Sequence, residues 1–335
     1  MGTLGLAAVA AAIVSLGVGA VPISPGSVVG IIADHSGIDA GAEFTPTQDA
    51  VLWSIRLPRV VLGALVGAGL GAAGAALQGI FRNPLADPQL VGISSGAALG
   101  SAVALLATES IIGSLAGPLG GAVGAVAAGA AVYGAARYRG RTEVVTLILA
   151  GIAVAAIAGA AAAFISLVAD DPRLGSAIFY SLGSLSAATW ERIGFTLPFI
   201  AAGVVLLPLL SHRLDLILLG EREASHLGVD MERSRAIVIG LVALVVGAAV
   251  AAAGVIGFVG LLVPHGIRVV AGPGHRLLLP ASAVGGAALV IAADAVARTV
   301  ASPLEVPVGL LTAVIGGPLF LLLLRRTRRD HGGWG

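Results

Sequence analysis

The sequence has no cysteine, no lysine, few aromatic residues and few charges. Without cysteine there are no disulfides and no thiolate sites. Without lysine the chain cannot hold a P-loop, whose lysine contacts the nucleotide phosphates. Charged residues make up 11% of the 335 residues, against roughly 25% in soluble domains. The net charge of +1 gives no excess of positive charge for binding nucleic acid.

Apolar residues make up most of the chain: 57% of it is hydrophobic and the mean hydropathy is +1.02. Long apolar runs recur from end to end, so water cannot be the solvent of most of the surface. The 49 glycines would weaken helices in water, but in lipid they favour close helix packing. The sequence therefore predicts an all-α, polytopic membrane protein that forms a single transmembrane domain over residues 1–335.

Ten segments are apolar over lengths close to the about 20 residues that a bilayer core requires. They are residues 4–21, 58–79, 90–107, 111–136, 143–168, 192–210, 236–252, 254–270, 277–297 and 306–324. The first lacks a positive N-terminal region and is long for a signal peptide, so we interpret it as a membrane helix. Only the region of Gly254 separates the seventh span from the eighth. Without that break there would be nine spans, with the termini on opposite sides.

Arginine placement sets the expected orientation. With ten spans and a cytoplasmic N-terminus, 14 of the 19 arginines lie in cytoplasmic segments and the other five lie outside. This asymmetry follows the positive-inside rule and predicts that both termini are in the cytoplasm and that the chain spans a cytoplasmic (inner) membrane. The long outer segments are 22–55 and 169–191, and the main cytoplasmic segment is 211–235.

The second span carries small residues at every fourth position, which places them on one helix face. They are Gly63, Gly67, Gly71, Ala75 and Gly79. Such a face lets another helix approach closely. Packing within the chain is the ordinary interpretation, and a subunit interface or the lining of a pathway is the alternative.

Several different short motifs follow one another in a specific order along nearly the whole chain. They are Ile55-Arg56-Leu57-Pro58-Arg59, Gly74–Gly79, Arg82–Pro88, Gly92–Ala97, Gly257–Leu261, Pro264-His265, Leu279–Ser282, Ala293-Asp294, Pro307–Gly309 and Gly316–Pro318. This ordered set resembles the FecCD/BtuC-like permeases of ABC importers for iron-siderophores, haem and cobalamin. The resemblance implies the type II permease fold, with ten helices per subunit, and a homodimer whose axis carries the substrate. It also implies two cytoplasmic ABC ATPase subunits and a periplasmic or lipoprotein substrate-binding protein as partners.

The cytoplasmic segment 211–235 contains two short apolar–polar stretches, each followed by a glycine that can end a helix. The resemblance implies that they are coupling helices, which sit in a groove of each ATPase. We expect apolar residues to fill that groove, charged residues to lie at its rim and the glycines to separate the helices. These residues are Leu214, Leu218 and Leu227, then Glu221, Arg222 and Glu223, then Gly220 and Gly228. The alternative is a solvated connector that packs back on the membrane domain, but the leucine content favours docking.

Three arginines are expected on the outer side. Arg56 and Arg59 flank the start of the second span, and Arg298 follows the ninth. By the resemblance they face acidic residues of a docked binding protein, where opposite charges steer association. From the residues alone, snorkelling at the membrane interface is the ordinary interpretation. For Arg298, an ion pair with Asp294 one helical turn earlier is a second ordinary interpretation.

Gate and substrate residues are suggested at two further places. Thr142 and Glu143 precede the fifth span, which looks like the pathway-lining helix of the family, so they are gate candidates. A helix N-cap by Thr142 with Glu143 in the first turn explains the same two residues. Arg173, in the outer loop after the fifth span, is a candidate contact for a carboxylate of the substrate, although a surface arginine is the simpler interpretation.

Two other function classes agree less well with the sequence than an importer permease does. An ion-coupled secondary transporter of a small solute usually places charges near the middle of the membrane, and here the span centres are nearly free of charge. An intramembrane enzyme would require a catalytic or metal-binding cluster, and neither the six histidines nor Asp170-Asp171 forms one. No catalytic residue, cofactor or metal is therefore predicted. The scarcity of aromatics suits a smooth path for a bulky cargo. The residues at 82–84 and 94–96 resemble haem and cobalamin permeases slightly more than siderophore permeases, so haem is slightly favoured, with cobalamin and siderophores as alternatives.

Overall fold

The computed structural model describes residues 1–19, 21–38, 41–88, 92–107, 116–138, 141–142, 144–168, 182–302 and 304–330. Within these residues the chain is almost entirely helical. One antiparallel pairing of two-residue strands, β1 Arg137–Tyr138 with β2 Arg141–Thr142, interrupts the helices. The expectation of an all-α membrane fold is confirmed.

Fourteen α-helices are present in the described residues, and a π-helix at Leu52–Arg56 joins the third to the fourth. They are α1 Gly2–Gly17, α2 Pro25–His35, α3 Pro46–Val51, α4 Leu57–Ile80, α5 Ile93–Ala107, α6 Ala116–Ala136, α7 Val144–Val168, α8 Trp190–Leu209, α9 Ser211–Leu218, α10 Glu221–His226, α11 Met231–Ala253, α12 Val259–Ala271, α13 His275–Thr299 and α14 Val308–Asp330.

Ten of these helices correspond to the ten predicted spans. Six are long and apolar enough to cross a membrane: α4 with the short helices before it, α6, α7, α8, α11 and α13. The other four, α1, α5, α12 and the apolar part of α14, are shorter apolar helices. The remaining helices are short and lie at the two ends of the bundle. We call these ends the α2–α3 end and the α9–α10 end.

The break between the seventh and eighth spans is real. Helix α11 ends at Ala253, and Gly254 has a φ of 70°, which a residue without a side chain adopts at no steric cost. Helix α12 begins only after Phe258, which has a φ of 65°. The nine-span alternative is therefore excluded.

Helices α4 and α13 form the centre of the bundle and run antiparallel. A Cβ at Gly67 would overlap the backbone of Gly286, and a Cβ at Gly71 would overlap the Ser282 carbonyl oxygen. Only glycine at these positions lets the two backbones meet. The small-residue face of the second span thus serves packing within the chain, as the ordinary interpretation predicted.

Candidate functional site

At the α2–α3 end, Arg59 of α4 is held by two carboxylates. Its Nε donates to Asp294 Oδ1 at 2.9 Å and to Oδ2 at 3.0 Å, and its Nη1 donates to Glu305 Oε2 at 2.9 Å. Arg59 and Asp294 are buried, whereas about half of the Glu305 side chain is exposed. A buried charge of this kind is stable only when it is paired, so Asp294 holds α4 against α13.

Arg298 and Arg56 extend this connection to α1. Arg298 forms an ion pair with Asp294 one turn earlier, with Nε 3.1 Å from Oδ2, and its Nη2 donates to Ser15 Oγ at 2.6 Å. Arg56 donates from Nη1 to the Leu16 carbonyl oxygen at 2.7 Å and from Nη2 to the Val21 carbonyl oxygen at 2.5 Å. These carbonyls lie at and just beyond the end of α1, where a helix leaves its last acceptors unpaired.

The three predicted docking arginines therefore lie together at one end, as expected, but each is engaged within the chain. The Asp294–Arg298 pair considered as an alternative is present. Contact with an acidic partner stays a prediction. The sequence analysis missed Glu305, which is the more exposed carboxylate on Arg59, and the link from Arg59 to Asp294. Asp294 is an ionisable residue within a membrane span, and that is the signal that could have found this link.

Aromatic residues from distant segments also meet at the α2–α3 end. The His35 ring stacks on Trp53 with centroids 3.9 Å apart, and the Trp190 Nε1 donates to the Trp53 carbonyl oxygen at 3.1 Å. Asp49 lies 2.8 Å from His35 Nε2. Tryptophan favours the membrane interface because its ring is apolar and its N–H is polar. This cluster, which the sequence analysis did not predict, fixes the short helices against the start of α8.

At the α9–α10 end, the two short helices predicted in segment 211–235 are present as α9 and α10, and their coupling role stays a prediction. The prediction for Leu214 needs correction, because this side chain is only 1% exposed and packs in the chain's own core. Helix α9 turns Leu214 and Ile217 inward and leaves Leu219, which we had not singled out, 63% exposed. Leu227 is 59% exposed, as its proposed role requires, and Leu218 is half-buried.

The two glycines of this segment separate the helices, as predicted. Gly220 has a φ of 133° and Gly228 a φ of 86°, and both conformations are strained for residues with a side chain. Glu221, Arg222 and Glu223 are exposed between them. Glu221 pairs with Arg235 of α11, and Glu221, Arg222 and Arg235 line a polar groove of about 580 Å³ between α10 and α11.

A polar contact joins α9 to the start of α13. One oxygen of Asp215, Oδ1, accepts from the His275 backbone N–H at 2.7 Å and lies 2.9 Å from His275 Nδ1. The His275 ring is buried, and its Nε2 faces Gly79 at the end of α4. Next to it, Arg268 of α12 donates to Gln78 Oε1 at 2.8 Å. The sequence analysis predicted none of these contacts.

The gate and substrate predictions fall mostly beyond the described structure. Thr142 lies in β2 with Arg137 as its strand partner, just before α7. Glu143 and Arg173 lie outside the described residues. The roles of all three stay predictions. In the described part of the chain, no three histidine, aspartate or glutamate residues are grouped in a way that could hold a metal ion.

Comparison with known proteins gives the family. Residues 7–326 match the FecCD transport family. The chain is 44% identical over 279 residues to the cobalamin import system permease protein BtuC of Halobacterium salinarum, covering 83% of this chain and 74% of the relative. It is 43% identical over 295 residues to the hemin transport system permease protein HmuU of Yersinia pestis, covering 86% and 88%.

The fold agrees with the sequence match. A solved structure assigned to the metal-chelate type of ABC transporter, in an inward-facing conformation, superposes with a TM-score of 0.83 at 33% identity and covers 97% of this chain and 98% of its own. The relatives named above are permease subunits, which are not enzymes, so ATP hydrolysis belongs to separate subunits. The chain belongs to the FecCD transport family.

Proposed function

We propose that this chain is the transmembrane permease subunit of an ABC importer that carries a metal chelate across the cytoplasmic membrane. The match to the FecCD transport family over nearly the whole length is the observation that carries the proposal. The ten apolar helices of the described residues support a membrane domain. The α9–α10 end is where we propose that a motor binds. The permease performs no covalent chemistry; it changes between states that its partners stabilise to different degrees.

The α9–α10 end is the proposed contact with an ABC ATPase. Leu219 and Leu227 offer exposed apolar side chains, and Arg222 and Glu223 add charge around them. An apolar centre with a polar rim is the usual composition of a protein interface. Two permease copies and two ATPase subunits would complete the importer, with both termini in the cytoplasm.

The α2–α3 end is the proposed contact with a substrate-binding protein. Arg59 is already paired with Glu305, whose side chain is half-exposed. A carboxylate from the partner would therefore replace Glu305 on Arg59, while buried Asp294 keeps the guanidinium in place. Charges arranged in this way fix the register of docking and raise its rate.

Haem or cobalamin is the proposed cargo class, with haem slightly favoured by the motif wording. The two relatives described above carry hemin and cobalamin in their names. The exposed face of α7 would line the path together with its copy in a homodimer. In the described residues that face is formed by apolar side chains such as Leu149, Ile152 and Ile157, which suit a large cargo that slides without tight binding.

Reconstitution into proteoliposomes with the co-purifying ATPase tests this function. Binding protein loaded with haemin or with cyanocobalamin is added outside, and uptake is measured with ATP inside. We expect uptake of at least one cargo that requires ATP hydrolysis and survives a protonophore. Uptake that a proton gradient drives without ATP would contradict the proposal and support the ion-coupled alternative. An ATPase variant that binds but does not hydrolyse ATP is the control.

A further inference from the structure

We infer that Asp215 and His275 form a mechanical link, the Asp215–His275 clasp, through which α9 moves α13 during transport. This inference rests on the proposed function, because it assigns α9 to the motor contact. It goes beyond that function by naming the pair of residues through which the motion enters the membrane domain. Both are positioning residues, since neither is proposed to touch the cargo.

The first argument is that α13 takes its N-terminal cap from another helix. Its own N-cap residue, Gly274, has no side chain with which to cap. Asp215, 60 positions earlier in the chain, accepts the His275 backbone N–H at 2.7 Å instead. A carboxylate at a helix N-terminus is favoured both as a cap and by the helix dipole. Helix α9 therefore holds the end of α13 through a directional, charge-assisted contact.

The second argument is that the His275 ring connects three helices. Its Nδ1 lies 2.9 Å from Asp215 Oδ1 of α9, and its backbone begins α13. Its Nε2 edge lies against Gly79 of α4, where even a Cβ would overlap the ring. The ring is buried and has no free space on the α4 side. A displacement of Asp215 therefore acts on α4 and α13 together.

The third argument is that α4 and α13 move as one body. Their backbones meet at Gly67 with Gly286 and again at Gly71 with Ser282. At the far end, the buried Arg59–Asp294 pair joins them again at 2.9 Å. Packed elements of this kind shift as rigid units instead of deforming continuously. The clasp at one end is thereby connected to the docking arginines at the other.

The apolar contacts of α9 do not supply the same link. Leu214 and Ile217 bury their side chains in the core, but such contacts are non-directional and allow sliding. The Glu221–Arg235 pair leads from α10 to α11, so it does not reach α13. Within the described residues, the Asp215–His275 clasp is thus the directional contact from α9 to the α4–α13 pair.

The test uses the absence of cysteine from the sequence. A single spin label at Val300→Cys, exposed at the far end of α13, reports one distance between the two copies in the full importer. We expect this distance to shift when ATP binds. In Asp215→Ala the shift is lost and uptake of haemin or cyanocobalamin per ATP hydrolysed falls about tenfold, within the range of coupling between sites. The amount of ATPase that co-purifies stays unchanged.

Matched variants separate coupling from folding. Asp215→Asn keeps an acceptor oxygen and retains the shift. Gly79→Ala pushes the His275 ring away from α4, so we expect the distance shift to be lost although Asp215 is intact. Gly240→Ala is the control: Gly240 has open space beside it, and the shift should be retained. Thr189→Ala removes the cap of α8 at the other end, where Thr189 Oγ1 accepts from Arg192 N at 3.2 Å, and also retains the shift.

Two results would overturn the clasp. The clasp is wrong, and the proposed function stands, if Asp215→Ala and Gly79→Ala both show the ATP-dependent distance shift and the uptake of the original chain. If the original chain imports neither cargo when ATP is supplied, the proposed function is wrong, and so is the clasp, which depends on it. If Asp215→Ala does not fold, Gly79→Ala with its Gly240→Ala control decides the question.

Discussion

Helices α4 and α7 are both long and apolar, and both are rich in small residues, yet they are used in opposite ways. In the most apolar stretch of α4, 78% of the residues are buried within the chain, whereas in that of α7 only 11% are buried. Gly67 and Gly71 of α4 face a glycine and a serine of α13, so backbone meets backbone there. On α7, Gly159 faces open space. Small residues therefore bring two backbones into contact where the opposing helix also carries a small residue.

The comparison also indicates which of the two helices is important for stability and which for transport. A helix whose contacts are satisfied within the chain cannot exchange partners without breaking them. A helix with an exposed face of branched and aromatic side chains, such as Ile157 and Phe164, is complete only with lipid, cargo or a second copy against it. The stability of the chain is thus expected to depend on α4, and its transport activity on α7.

The largest expected effect comes from filling the α4–α13 contact. Gly71→Leu places four carbons where the first would already overlap the Ser282 carbonyl oxygen, so we expect no folded protein. Gly159→Leu on α7, where nothing lies within 4 Å, is the matched control and should fold normally. Fluorescence-detected gel filtration in detergent measures both. Equal yields of monodisperse protein would contradict the packing described for α4.

The next effect comes from removing the buried carboxylate. Asp294→Ala leaves Arg59 and Arg298 without it, and breaking a buried ion pair costs about 3–5 kcal/mol. The midpoint of thermal unfolding in detergent should fall markedly. Glu305→Gln alters the half-exposed partner of the same arginine and should cost less than about 1 kcal/mol. A larger loss from Glu305→Gln than from Asp294→Ala would reverse the assignment of the two carboxylates.

The smallest expected effect on stability comes from α7. Ile157→Trp changes an exposed side chain and should alter the free energy of unfolding by less than about 0.5 kcal/mol. Because that face is proposed to line the path, ATP-driven uptake should nevertheless fall severalfold. Val205→Trp, at a similarly exposed position on α8, serves as control and should leave both quantities unchanged. Unchanged uptake in Ile157→Trp would assign this face of α7 to lipid.

Local sequence signals predicted the helices well. Ten apolar runs became ten apolar helices, and Gly254 marked the break in the longest run because a glycine there can adopt a positive φ. The glycines at 220 and 228 likewise marked the ends of short helices. These features depend on residues within one or two turns, so the sequence is sufficient to predict them.

Contacts between distant segments could not be predicted in the same way. Arg59 and Asp294 are 235 positions apart, and Asp215 and His275 are 60 apart, so only the packing of the helices brings them together. The orientation of α9 is a similar case. Its eight residues are too few to fix which leucines face inward, and the position of α9 against α4 and α13 decides that Leu214 is buried.

The short helix α12 has a consequence for the membrane around it. Its 13 residues span roughly 20 Å, whereas the hydrocarbon core is about 30 Å thick. Residues 255–257 therefore cross part of the hydrophobic thickness without helical hydrogen bonds, which lipid cannot replace. Gly183 and Gly309 pack against the Val255 carbonyl, and Ser184 N donates to the Ala253 carbonyl oxygen at 2.8 Å. This unwound stretch must stay sealed by its protein neighbours at every stage of transport.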